Sequence, residues 1–184
     1  MPIDDPRVLN LFAACQACKL SVTIHIAPEQ GDYYGLVDAP GLPGLENTLR
    51  RFPNCKIMGH SQPFWAEMST DYGPGGRNGY PKGAVHPGGR LPQLFERYPN
   101  LYGDLSAGSG FNAISRDPEF GYAFLEEFQD RLYFATDVCL PTQADTVLVN
   151  LKRFLEAGHA AGRISDGVFA KITHRNAQRL LGLH

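Results

Sequence analysis

The amino-acid sequence predicts an α/β protein of about four parallel βα units, and three observations carry that expectation. Short β-branched or apolar runs alternate with stretches of helical period along the chain. Two helix-to-strand junctions share a spelling, Arg51-Phe52-Pro53-Asn54 and Arg97-Tyr98-Pro99-Asn100, offset by 98 − 52 = 46 residues. Each strand-like run closes on polar residues: His25, His60, Asp104 with Ser106, and Asp137. Parallel strands bring such ends to one edge. Four units fit a small open parallel sheet or half of a (β/α)8 barrel.

The elements follow in order. Asp5-Pro6 opens a helix, with Asp5 as N-cap and Pro6 in the first turn; Val8, Leu9, Phe12, Cys15 and Leu20 recur at helical spacing. The β-branched run Leu20-Ser21-Val22-Thr23-Ile24-His25-Ile26, closed by Pro28, reads as a strand. Alternation puts Val22, Ile24 and Ile26 on one face and Thr23 and His25 on the other. Residues 28–43, punctuated by Gly31, Gly35, Pro40, Gly41 and Pro43, read as loop, and 44–52 as helix. Cys55-Lys56-Ile57-Met58-Gly59-His60 is the next strand. Residues 69–89, with Tyr72-Gly73-Pro74-Gly75-Gly76-Arg77, form a loop of a length that is usually functional or disordered. A helix over 90–98 leads to a strand over 101–106. Asp117-Pro118 caps a helix over 117–130, and Leu132-Tyr133-Phe134-Ala135-Thr136-Asp137 is the last strand. Two helices, 141–157 and 165–181, close the chain. In both repeated junctions Pro stops the helix and Asn turns the corner into the strand.

The chain of 184 residues, 43% hydrophobic, suffices for a single domain over 1–184. Its 17 basic and 19 acidic residues leave a net charge of −2, which argues against nucleic acid as a partner. No apolar run approaches the roughly 18 residues of a membrane span, and the N-terminus does not read as a signal peptide. Cysteines 15, 18, 55 and 139 are expected to be plain thiols in a reducing cytoplasm, with metal or redox roles for the Cys15-x-x-Cys18 pair as weaker alternatives.

Several side chains admit two roles. His25 is a core histidine or a metal ligand, since a neutral imidazole suits zinc and similar ions. His60 is a capping or loop histidine or a reactive group, since such groups cluster where it opens a loop. Asp137 is a helix cap or a ligand and base. Trp65, beside Phe64, packs under a loop or stacks on substrate. His86, His159 and His184 read as surface groups and His174 as structural.

The order strand-His25, strand-Gly59-His60, strand-Asp137, then His174-Arg175-Asn176-Ala177-Gln178-Arg179-Leu180-Leu181-Gly182-Leu183, resembles the amidohydrolase superfamily. Its amidohydrolase-related branch, with the aminocarboxymuconate-semialdehyde-decarboxylase-like enzymes, is the nearest in pattern. The resemblance implies a TIM (β/α)8 barrel, of which this chain carries strands five to eight. It implies His25 as fifth-strand metal ligand, His60 as a second ligand or substrate contact, and Asp137 as the eighth-strand acid that binds metal or takes the nucleophile's proton. Trp65, Asp104 and Ser106 are the candidate substrate contacts. The cofactor implied is a divalent metal, zinc first, which activates water or polarises a carbonyl. Where many members have glycines after the sixth-strand histidine, this chain has Ser61-Gln62.

The family's first-strand His-x-His is absent. A half-barrel leaves two sheet edges unpaired and a metal short of ligands. The sequence therefore predicts a truncated barrel, a homodimer, or a separate N-terminal half-barrel partner. The leading reading is a metal-dependent hydrolase of a C–N, C–O or C–C bond next to a carbonyl, acting on a small molecule. A non-oxidative decarboxylase and a non-catalytic half-barrel assembly module are the alternatives. A flavodoxin-like domain is weaker, because Gly73-Pro74-Gly75-Gly76 is not placed as a phosphate loop.

Overall fold

A computed structural model describes residues 1–73, 76–143, 145–146 and 149–183. Contacts group the chain into two compact units, Met1–Pro81 with Val85–Tyr102 and Lys82–Ala84 with Gly103–His184. The strands run parallel, in the order β2-β1-β3-β4-β5.

The first unit begins with α1 (Pro6–Ala17), where the Asp5 carboxylate accepts from Arg7 N at 2.9 Å as the expected N-cap. Then follow β1 (Val22–Ala27), β2 (Leu36–Val37), α2 (Pro43–Arg51), β3 (Ile57–His60), α3 (Gln62–Ala66), a 3-10 turn (Gly76–Asn78), α4 (Arg90–Arg97) and the first half of β4 (Leu101–Asp104). Leu45 and Leu49 of α2 and Leu91, Leu94 and Phe95 of α4 are buried. Each such side chain contributes about 1.5–3 kcal/mol of hydrophobic stabilisation.

The repeated junction is a repeated turn. Phe52 O accepts from Cys55 N at 3.0 Å, and Tyr98 O accepts from Leu101 N at 3.1 Å. The two asparagines differ. Asn100 is buried and donates to Leu49 O and Phe52 O at 3.1 and 3.0 Å, which satisfies the carbonyl end of α2. Asn54 is exposed, and its backbone N–H donates to Gln16 Oε1 at 3.0 Å.

The second unit holds the rest of β4, α5 (Ala107–Ser115), α6 (Pro118–Glu127), β5 (Leu132–Tyr133), a 3-10 turn (Pro141–Gln143), α7 (Val149–Ala160), α8 (Asp166–Ala170), a π-helical turn (Lys171–Arg175) and α9 (Asn176–Leu181). Asp117 caps α6 through Phe120 N, as expected. The closing Asn176-Ala177 has a structural reason: Asn176 is buried and donates to Gln129 O and Leu132 O at 2.7 and 3.0 Å, which fixes the turn into β5.

The structure corrects the expected elements in four places. Residues 28–43 contain β2, paired Ile26↔Leu36 and Ala27↔Val37, so β1 is not the sheet edge. Met1–Ile3 in turn holds Val37, with Val37 N donating to Met1 O at 2.8 Å and Ile3 N to Val37 O at 3.0 Å. A two-residue strand is too short to show alternation. The strand expected over 132–137 stops at Tyr133: beyond it Ala107 N donates to Thr136 O at 3.4 Å, out of the ladder's register, while Phe134 N, on the edge facing away from β4, donates to Ile172 O at 3.0 Å. Two helices, α3 and α5, were not expected: α3 buries Pro63, Phe64, Trp65 and Ala66 and so shows no amphipathic period, and α5 is rich in Gly and Ser. The expected helix 141–157 is a 3-10 turn and, later, α7; its residues 144, 147 and 148 lie outside the described residues, as do Pro74, Gly75 and His184.

Candidate functional site

Strand register brings two of the candidates together. In the β1–β3 ladder, Ile24 pairs with Gly59 and His25 with His60. Ile24 and Ile26 are buried on one face, as the alternation requires, while His25 and His60 are half-buried with ring centroids 5.4 Å apart. Gly59 is compelled by packing: a Cβ there would lie 2.1 Å from the Phe64 ring. That close approach lets α3 fold back under the end of β3.

The turn from His60 into α3 is strained. Ser61 has φ 114° and ψ 166°, a region that glycine alone adopts freely, at a cost of about 1–3 kcal/mol. Its hydroxyl accepts from Phe64 N at 3.3 Å, and Phe64 and Trp65 are anchored in the core. Serine thus holds a backbone conformation that glycine would take without strain. Trp65, 3% exposed, lies edge-on to Phe64 at 5.1 Å.

The loops after β1 and β3 supply what the sequence reading missed. The Tyr34 ring lies 4.2 Å from that of His25, and Gln62 donates to the Tyr80 hydroxyl at 3.0 Å. Glu67 and Arg77 form a buried ion pair at 2.9 Å. Glu67 Oε1 also accepts from Gly41 N and Tyr72 OH at 2.9 and 3.0 Å, and Arg77 Nη1 donates to Asp38 O at 2.8 Å. These bonds tie the glycine-rich loop after β3 to the segment after β2. Burial, with the Glu67 charge, pushes the Tyr72 hydroxyl up to about 12. Burial likewise raises the Asp38 carboxyl, although it accepts from Leu45, Gly44 and Ala39 N–H. An exposed tyrosine pair in a glycine-flanked loop, Asp32-Tyr33-Tyr34-Gly35, was a readable signal; Glu67 and Arg77 left none.

In the second unit, Asp104 ends β4 and accepts from Ser106 N at 2.9 Å, and Ser106 is buried at the N-cap of α5. Asp137 stands four residues beyond β5 (137 − 133), exposed and with φ 55°. His159 Nε2 donates to Asp166 Oδ1 at 2.7 Å and its ring stacks on Phe169; His86 is exposed, and His174 contacts Thr173 at 3.0 Å. All four cysteines are free thiols.

Among the described residues, no three His, Cys, Asp or Glu side chains gather as a metal cluster. The imidazole pair nevertheless has the donor chemistry of a divalent transition metal. A catalytic zinc typically takes three protein ligands, so His25 and His60 would form part of a set. No helix among the described residues is long and apolar enough to cross a membrane.

The amidohydrolase family profile matches residues 1–183. No curated protein gives a match. Among solved structures, an uncharacterised TIM-barrel protein from Bordetella bronchiseptica aligns at 20% identity and TM-score 0.58, covering 99% of this chain and 52% of that one. A 5-carboxyvanillate decarboxylase from Sphingomonas paucimobilis aligns at 22% identity and TM-score 0.53, covering 100% and 56%. A dihydroxybenzoic acid decarboxylase from Polaromonas, solved with manganese and the inhibitor 2-nitroresorcinol, aligns at 18% identity and TM-score 0.50, covering 99% and 55%. At these identities the likeness is one of fold, and the chain spans about half the length of these structures.

Proposed function

Because the chain belongs to the amidohydrolase family, we propose that it is the strand-five-to-eight portion of a metal-dependent enzyme. Its substrate is a small molecule with a C–N, C–O or C–C bond next to a carbonyl or carboxylate. The in-register His25–His60 pair is the observation that carries this reading. A bound divalent ion would polarise that carbonyl or lower the pKa of a water. His25 offers an imidazole nitrogen as ligand, and His60 offers a second or reaches the substrate. Asp137 takes the proton, and Asp104 with Ser106 orients the polar end of the substrate. Zinc is the expected ion, with manganese, as in the Polaromonas protein, the second choice. The remaining ligands come from a copy of this chain or from an N-terminal half-barrel partner. Four free thiols fit a reducing cytoplasm.

Non-oxidative decarboxylation is the second reading, supported by the decarboxylases among the similar structures. Calorimetric titration of the chain with zinc and with manganese tests the site. Weak binding that is lost in both His25→Ala and His60→Ala is expected; binding that survives both substitutions overturns it. Once active material is in hand, CO2 release separates decarboxylation from hydrolysis.

A further inference from the structure

Tyr34 is 77% exposed, yet its ring sits against His25 with centroids 4.2 Å apart and planes inclined by 36°. The next residue closes a second side. Gly35 has φ 112°, and a Cβ there would lie 2.5 Å from His25 O and 2.8 Å from His25 Cδ2. The backbone at residue 35 therefore runs directly along the carbonyl and the carbon edge of the imidazole, an approach only glycine permits. His60 stands on the neighbouring strand at 5.4 Å. One ring face and the Cδ2 edge of His25 are thus bounded by two consecutive residues of the loop after β1.

We infer that Tyr34 and Gly35 clamp the His25 imidazole, with Tyr34 a positioning residue that sets the ring plane and Gly35 the residue that sets which edge faces the loop. The clamp rests on the reading of His25 as a metal-side residue for its purpose, but not for its geometry. Outer groups that orient a metal-binding histidine typically matter 10–100-fold in affinity.

The test has two arms on the same chain. In the metal-free protein, the His25 Cδ2–Hδ2 NMR signal, identified by its loss in His25→Ala, reports the stacked tyrosine through its ring-current shift. Tyr34→Ala should abolish that shift, Tyr34→Phe should keep it, and Gly35→Ala should displace the signal. In zinc titration, Tyr34→Ala should weaken binding about tenfold and Tyr34→Phe should leave it as in the parent. A His25 signal unmoved by Tyr34→Ala overturns the clamp, as does parental zinc affinity in that variant. If the parent chain alone takes up no zinc, the NMR arm by itself confirms or overturns the clamp.

Discussion

The two units present their candidate side chains in different ways. In the first, His25 and His60 sit on hydrogen-bonded strands, opposite each other in the ladder. The loops behind them are tied by the buried Glu67–Arg77 pair. In the second, β5 is two residues long, Asp137 lies beyond it in an exposed left-handed turn, and the ion pairs are on the surface. Register places a side chain to within the tolerance of a ladder. A loop places it only as well as its own anchors do.

The largest expected effect breaks the buried tie. Arg77→Met leaves the Glu67 carboxylate buried without its cation and should cost about 3–5 kcal/mol in urea unfolding. Its counterpart is Arg163→Ala, which removes a 2.6 Å pair to Glu119, itself 80% exposed. That loss should stay below about 1 kcal/mol. Equal losses would mean that the units are not held differently.

Next come the buried asparagines. Asn100→Ala in the first unit and Asn176→Ala in the second each strand two carbonyls, and each should cost about 1–3 kcal/mol. Asn54→Ala, at the twin of the Asn100 junction, should stay within about 0.5 kcal/mol. A large loss at Asn54 would show that the spelling itself, and not the buried contact, carries the energy.

Backbone strain sharpens the comparison further. Ser61→Gly should stabilise the chain by about 1 kcal/mol: release of the strain outweighs the lost cap and the added freedom of the unfolded chain. Asp137→Gly should fall within about 0.5 kcal/mol of no change, because aspartate tolerates the left-handed region. Thermal or urea midpoints of the two variants decide the matter.

The smallest effects are in acid. Burial works upward on Glu46, but hydrogen bonding from Tyr98, the charge and hydrogen bond of Arg90, and the hydrogen bond from Arg97 bring its carboxyl below the ordinary value. The Lys171 hydrogen bond, against burial and with help from Arg179, does the same for Asp130. A folded value below the unfolded one means stability present above the unfolded carboxylate range and lost as pH falls through the folded value. Both groups are partly exposed, so each share is a few tenths of a kcal/mol. Glu46→Gln and Asp130→Asn should each flatten the acid limb of stability against pH. The raised Asp38 acts oppositely: its contribution is present at low pH and lost as pH rises through its folded value. An acid limb unchanged in both variants would remove these clusters from the account.

The parallel βα order, the caps at Asp5 and Asp117 and the repeated junction were all legible, because they rest on neighbours in sequence. His25 and His60 were legible because a strand's polar end stands out against its apolar run. Their pairing needed only adjacent parallel strands. Trp65 was half-legible, since an aromatic after a loop histidine reads equally as packing or as contact.

Sequence alone determined which residues favour strand, helix and turn here, and which polar groups end the strands, since propensity, alternation and capping act over a few residues. Tertiary structure alone decided the rest. The two-residue β2 exists because Met1–Ile3 and β1 both hold it. β5 ends early where Ala107 meets Thr136 out of the ladder's register, and Phe134 beyond it reaches Ile172. Glu67 meets Arg77 across ten residues, and Asn176 reaches back to Gln129 and Leu132. Each is a contact whose partner lies beyond the reach of local pattern, so its energy appears only when the chain is folded.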